Sequence, residues 1–206
     1  MAARAPTPAQ PVRVAPSDED HDSIVVLQGA SWGDFQRVLE LRGDGAGPRL
    51  AFLDGRIELM SPSRSHEGIK SMIGCLIEAW CFERGIDITP YGSWTLEDKA
   101  VLGGVEPDEC YVIGDVADPR CPDLAIEVVW TSGGVDKLEI YRRLGVREVW
   151  YWQHGLITIY RLGANRYEAI AASVALDGID LSVLLRFIDV TPMTRAVRAY
   201  REALRG

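Results

Sequence analysis

Apolar and polar positions along this chain follow two periods, and each change of period marks an element. In SHEGIKSMIGCLIEAWCFERG the residues Ile69, Met72, Ile73, Leu76, Ile77 and Trp80 recur at helical spacing and Gly85 closes the run, which predicts a long helix. SWGDFQRVLELRG predicts a shorter one, with Ser31 and Asp34 at capping-box spacing and Gly43 as its stop. LAFLDGRIELM predicts a hairpin turning on Asp54-Gly55, a pair that suits a type I′ turn. ECYVI and DLAIEVVW predict two strands joined by a loop holding Gly114, Pro119 and Pro122. VDKLEIYRRLG predicts a short helix stopped by Gly145, and REVWYW with LITIYRL a second hairpin around His154-Gly155. RYEAIAA predicts a further strand, and the chain ends in an arginine-rich helix after Thr191-Pro192. Helices alternating with strand pairs make a mixed central β-sheet flanked by helices, of the α/β or α+β class.

The totals bound this picture without changing it. At 206 residues the chain can bury one good core. Residues 1–23 are rich in Ala and Pro and hold little to bury, so they read as a flexible N-terminal tail ahead of a single domain, 24–206. That tail has no continuous apolar stretch of the kind a secretory signal needs, and no apolar run is long enough to span a bilayer. Cys75, Cys81, Cys110 and Cys121 show no C-x-x-C spacing, so zinc is disfavoured and reduced thiols in a cytoplasmic protein are expected. A net charge of −8 disfavours a strong, general grip on nucleic acid. It leaves room for a local basic cleft, or for a carboxylate cluster neutralised by a cation.

The unusual position is Glu127, a carboxylate inside the apolar run LAIEVVW. An unpaired buried carboxylate costs several kcal/mol, so a compensating partner is required. Asp123 shares its strand face, but four residues at roughly 3.3 Å each put about 13 Å between them, too far to share an ion. Asp108 does better. If ECYVI pairs antiparallel with DLAIEVV, the register that sets Asp108 opposite Glu127 also sets Val112 opposite Asp123. Opposed residues have Cβ atoms about 5 Å apart, near enough for two carboxylates to hold one cation or one proton. Lys137, at the start of the helix that follows TSGGVDK, can reach back over the strand end. It can there orient or deprotonate a water, or offset charge on a phosphate. An Asp and a Glu on adjacent strands with a lysine nearby suit metal-assisted hydrolysis of a phosphodiester.

The stretches EPDECYVIG, PDLAIEVVWTSGGVDKLEIYRRLGVREVWYW and LDGRIELMSPSRSHEGI resemble the Uma-two-like family of bacterial proteins labelled "putative restriction endonuclease", within the PD-(D/E)XK nuclease superfamily. The likeness runs from about Trp32 to Leu162. It implies a restriction-endonuclease-like core, DNA cleavage dependent on Mg²⁺ or Mn²⁺, and a homodimer. By position it makes Asp108 and Glu127 the motif acids and metal ligands, adds Glu58 as a further acid and metal ligand, and adds His66 as a catalytic histidine after the Ser-Pro turn. Val129 departs from the pattern, since the superfamily lysine belongs two residues after the acid; Lys137 looks like its migrated replacement.

Plainer readings stand beside these. Asp108 can be a turn residue after Pro107, Glu127 a structural ion pair with Lys137, Glu58 an exposed strand residue, and His66 a cap or packing residue. The tryptophans read as core or dimer seam rather than base-stacking platforms, and the arginine clusters as solvated faces. Two other functions fit the same residues. One is a catalytically inactive nuclease-fold module for binding or assembly, which the acidity and the displaced lysine favour. The other is a metal-dependent hydrolase of a smaller phosphate ester, which needs no basic surface.

Overall fold

The computed structural model describes residues 20–45, 47–130 and 134–206. Of the tail expected over residues 1–23, residues 1–19 lie outside the described residues, as does most of the TSGG turn. In chain order the elements are β1 (Ser23–Gln28), α1 (Trp32–Arg42), β2 (Arg49–Leu53), β3 (Arg56–Ser61), α2 (Arg64–Arg84), β4 (Ile88–Pro90), β5 (Leu96–Asp98), β6 (Gly103–Val105), β7 (Glu109–Ile113), β8 (Leu124–Val128), α3 (Lys137–Leu144), β9 (Glu148–Gln153), β10 (Leu156–Leu162), β11 (Tyr167–Ile170), α4 (Leu181–Leu185) and α5 (Met193–Arg205).

The local signals work as the sequence suggests. Ser31 and Asp34 close a reciprocal capping box on α1, and Gly85 and Gly145 end α2 and α3 in the left-handed conformation. Asp54 and Gly55 both take positive φ, 45° and 80°, which a type I′ turn between β2 and β3 demands.

The expected mixed sheet is present, in the order β11-β10-β9-β8-β7-β4. Only β8 and β9 run parallel in it, joined by α3 as the crossover, and its other pairs are antiparallel. The β2–β3 hairpin does not join that sheet. It nucleates a second, antiparallel sheet in the order β1-β3-β2-β6-β5, whose short strands carry too few residues to show a period in the sequence.

Alternation then sorts the faces. Tyr111, Leu124, Ile126, Val128, Trp150 and Trp152 pack against α2 and α5 in the largest core cluster. Cys110, Ala125 and Val149, on the opposite face of the mixed sheet, meet Ala51, Leu53 and Val105 of the second sheet, with Ile140 and Tyr141 of α3. The outer face of the second sheet, Leu50, Phe52 and Ile57, is covered by Phe35 of α1. Two sheets therefore pack face to face, each backed by helices. The chain crosses between them in three residues, Glu106-Pro107-Asp108, from β6 to β7.

Candidate functional site

That crossing delivers Asp108 to the seam between the sheets. The β7–β8 ladder pairs Glu109 with Ile126 and Cys110 with Ala125. Carried one residue back, the same register sets Asp108 opposite Glu127, on the inner face with Ala125. The inferred register holds, and it explains how a carboxylate sits inside LAIEVVW: Glu127 faces the second sheet across the seam, not the apolar layer under α2.

Both acids are buried, Asp108 at 0% and Glu127 at 2% exposure, and both are fully engaged. Asp108 Oδ1 accepts from Arg49 Nη1, while Oδ2 accepts from the Val128 backbone N–H at 2.6 Å and from His66 Nε2 at 3.0 Å. Glu127 Oε2 accepts from Lys137 Nζ at 2.7 Å and Oε1 from the Tyr141 hydroxyl. Glu58, on β3, is also buried, and its Oε2 accepts from the Val135 backbone N–H at 2.8 Å. The Glu58 carboxylate fills the space where a Cβ on Gly134 would stand, 1.9 Å from Oε2, and Gly134 also holds a φ of +98°. Only glycine fits there.

The charges explain the protonation states. Burial works against ionisation of Asp108, but the His66 hydrogen bond and the charges of Lys137, His66 and Arg49 hold it below the usual carboxylate range. Burial raises Glu127, the Lys137 charge opposes that rise, and the nearby Asp108 charge adds to it. Lys137 is disfavoured as a cation by burial, yet the carboxylates of Glu127, Asp108 and Glu58 hold it above its ordinary value. It donates to Glu127 as an ammonium.

His66 lies in the first turn of α2 with a carboxylate on each ring nitrogen, Asp22 at 2.9 Å from Nδ1 and Asp108 at 3.0 Å from Nε2. Burial alone would lower its pKa; the two hydrogen-bonded carboxylates raise it to about 9. Both ring nitrogens then donate, and the 3.3 Å approach of Arg49 Nη1 to Nε2 is two cations meeting on one carboxylate. Because the folded value lies above the unfolded one, the imidazolium contributes stability that is complete below about pH 6.5 and is lost as pH rises through about 9, on the order of 3 kcal/mol in all. Urea unfolding across that range is expected to show this loss in the wild type and a flatter profile in His66→Gln.

The structure thus brings Asp108, Glu127, Lys137, Glu58 and His66 into one buried cluster. Sequence reasoning missed Arg49, Asp22 and Tyr141. Tyr141 was within reach, since it lies four residues after Lys137 on the same helical face. Arg49 shares a strand face with Ala51 and Leu53, but the hairpin signal begins one residue after it. Asp22 falls in the expected tail, yet Asp20 and Asp22 bond the N-terminus of α2, the Asp20 carbonyl accepts from Trp130 just past β8, and Ser23 pairs with β3. Two other acids of EPDECYVIG and PDLAIEVVW are structural. Glu106 is clamped by Arg42 at 2.6 and 3.0 Å, by Thr95 and by the Leu50 N–H, and Asp123 accepts from the Ile113 N–H and from Arg147.

Hard carboxylate oxygens drawn from facing sheets suit Mg²⁺ or Mn²⁺ in kind. Among the described residues, however, no three His, Cys, Asp or Glu side chains converge as a ready ligand sphere. Arg49, His66 and Lys137 supply the positive charge between the acids. Five acids (Asp22, Glu58, Glu67, Asp108 and Glu127) face those three cations, so the cluster retains carboxylate in excess.

Residues 32–192 match the family model Uma2, described as "Putative restriction endonuclease". No curated protein matches the chain. Among solved structures, one described as "a putative nuclease belonging to DUF820 from Anabaena variabilis ATCC 29413" aligns over 79% of this chain and 96% of that one, at 15% identity and a TM-score of 0.49.

Proposed function

The chain belongs to the Uma2 family of putative restriction endonucleases, and from that premise we propose that it is a metal-dependent endonuclease that hydrolyses phosphodiester bonds in DNA. The observation that carries this reading is the pairing of Asp108 with Glu127 across β7 and β8, with Lys137 bonded to Glu127 at 2.7 Å. Asp108 and Glu127 are the residues that would hold Mg²⁺ or Mn²⁺, with Glu58 as a third acid, once Lys137 releases its grip on Glu127. The cation, when bound, lowers the pKa of a coordinated water and offsets charge on the phosphate.

The protein's own groups do the rest. Lys137, kept charged by its acidic neighbours, turns from Glu127 to the negative charge that grows on the phosphate oxygens. Tyr141, a neutral phenol, keeps Glu127 oriented while the lysine is away. Arg49 and His66 fix Asp108. Four free thiols and the DNA substrate fit a cytoplasmic setting, and no described helix is long and apolar enough to cross a membrane. A homodimer that presents two such sites to a duplex is part of the same proposal.

A second reading has an observation in its favour. The acids are closed on protein cations, as they would be in a nuclease-fold binding module that no longer cuts. One assay separates the two: plasmid and single-stranded DNA incubated with the protein in Mg²⁺ or Mn²⁺, beside Glu127→Ala. Cleavage by the wild type that disappears in the variant and in chelator supports the nuclease. Equal rates for both proteins would sink it for these substrates. Cation binding without DNA cleavage would point to a smaller phosphate ester, and neither would point to the binding module.

A further inference from the structure

We propose that the segment just ahead of β1 is a working part of this site: Asp22 is a positioning residue that, through His66, holds Asp108 in the orientation facing Glu127. The proposal rests on the nuclease reading above and adds to it a residue outside the stretch that matches the family model, which begins at residue 32.

The geometry separates this role from ordinary helix capping. The N-cap of α2 is Ser63, whose hydroxyl already accepts from the His66 backbone N–H at 3.2 Å. Asp22 Oδ1 adds a bond from the Ser63 N–H at 2.8 Å, which leaves Oδ2 free to turn to the imidazole, 2.9 Å from Nδ1. The other ring nitrogen, Nε2, donates to Asp108, so the three side chains form a chain Asp22–His66–Asp108, with side-chain exposures of 4%, 1% and 0%.

The residue two before Asp22 anchors the same segment at both ends of the Asp108 environment. Asp20 Oδ1 accepts from the Ser65 N–H in α2 at 3.3 Å, and its carbonyl accepts from Trp130 Nε1 at 2.6 Å. Trp130 stacks on Trp152, with ring centroids 5.9 Å apart and planes 9° from parallel, and lies two residues beyond Val128, whose N–H holds Asp108 Oδ2. One donor to Asp108 Oδ2, His66, is thus bonded directly to Asp22, and the strand that carries the other, Val128, is followed by a tryptophan bonded to Asp20. Outer partners of this kind commonly carry about 10- to 100-fold in cation affinity or turnover.

The test uses the full-length wild type, Asp22→Ala, Asp22→Asn and Ser31→Ala, which uncaps α1 on the outer side of the second sheet. Four quantities are measured: Mn²⁺ affinity by electron paramagnetic resonance, plasmid cleavage at saturating Mn²⁺, melting temperature, and the ¹⁵N-histidine spectrum. The chain has three histidines, so the His66 signals can be assigned. Asp22→Ala is expected to lose the slowly exchanging His66 Nδ1–H and to weaken Mn²⁺ binding and cleavage at least tenfold. Asp22→Asn, whose single amide oxygen can still accept from Nδ1 but which sets an NH2 against the Ser63 N–H, recovers part of both. Ser31→Ala lowers the melting temperature and moves neither.

Loss of the Nδ1–H signal with Mn²⁺ affinity and cleavage within twofold of wild type would make Asp22 merely structural and overturn the proposal. If the wild type neither binds Mn²⁺ nor cuts DNA while its His66 signals are intact, the nuclease reading has failed and this inference falls with it, a pattern distinct from failure in the variants alone. Should Asp22→Ala not fold, Asp22→Ser, one atom shorter, keeps an acceptor near Ser63 and gives up the imidazole. The same tenfold losses are expected of it, with the same overturning result.

Discussion

Asp108→Ala is expected to abolish DNA cleavage and to lower stability by about 3–5 kcal/mol, the scale of breaking a buried ion pair from one side. Asp108 is fully buried and serves three donors: Arg49, His66 and the Val128 N–H. Without it the Val128 N–H stays buried with no acceptor, and two buried cations lose a shared counter-charge, Arg49 keeping only Glu67 and His66 only Asp22. The loss of activity in this variant is therefore ambiguous, and Asp108→Asn resolves it. The amide keeps the shape and one acceptor oxygen, so unfolding in urea is expected to report a smaller cost, about 1–2 kcal/mol. Cleavage should still fall on the order of 10³-fold or more, because an amide is a poor ligand for a hard divalent cation and carries no charge to hold it. Asp108→Asn protein that is folded and cuts within tenfold of wild type would remove Asp108 from the cation site and leave it a structural acid.

How far this site could be read in the sequence depended on whether each residue broke a local pattern. Glu127 was legible because a carboxylate interrupts an apolar strand, and Asp108 followed from it by register arithmetic on two strands and a loop. The capping box at Ser31 and the Asp54-Gly55 turn were legible for the same reason: their chemistry is complete within four residues. The second sheet was not, because β5 and β6 have three residues each and derive their pairing from contacts far along the chain. Arg49 and Asp22 were hidden for a related cause. Nothing in PRLAF or DEDHDS marks a buried ion; what buries them is the close packing of sheets and helix that brings residues 22, 49, 66 and 108 together. His66 looked like a cap from its place after Ser63, and it is in the first turn as expected, but its ring is committed to two acids that the helix signal does not encode. A buried polar cluster assembled from four elements is specified by tertiary packing, and sequence periodicity sees only the elements.

The second large effect concerns the lysine. Lys137 reaches Glu127 from the first turn of α3, whereas the superfamily pattern places its lysine at the position held by Val129. Lys137→Met is expected to slow cleavage by about 10²–10³-fold, the scale of losing one charged group that stabilises the transition state. Its stability should fall far less than in Asp108→Ala, since Glu127 keeps the Tyr141 hydroxyl and can take up a proton, its pKa being raised already by burial. Lys137→Met alone does not show that the lysine migrated, because any disturbance of Glu127 would also slow the reaction. The decisive variant is the double one, Lys137→Met with Val129→Lys. Val129 follows Glu127 by two residues, its N–H still bonds the Trp152 carbonyl at 2.8 Å, and strand alternation puts its side chain on the same face as Glu127. A lysine there returns an ammonium to the seam from the strand instead of the helix. Cleavage at least tenfold faster in the double variant than in Lys137→Met, with Val129→Lys alone no faster than wild type, would establish that the charge and not its element of origin is what the chemistry needs. No recovery in a folded double variant would mean that Lys137 acts from α3 in a way a strand lysine cannot replace, and the migrated-lysine assignment would fail.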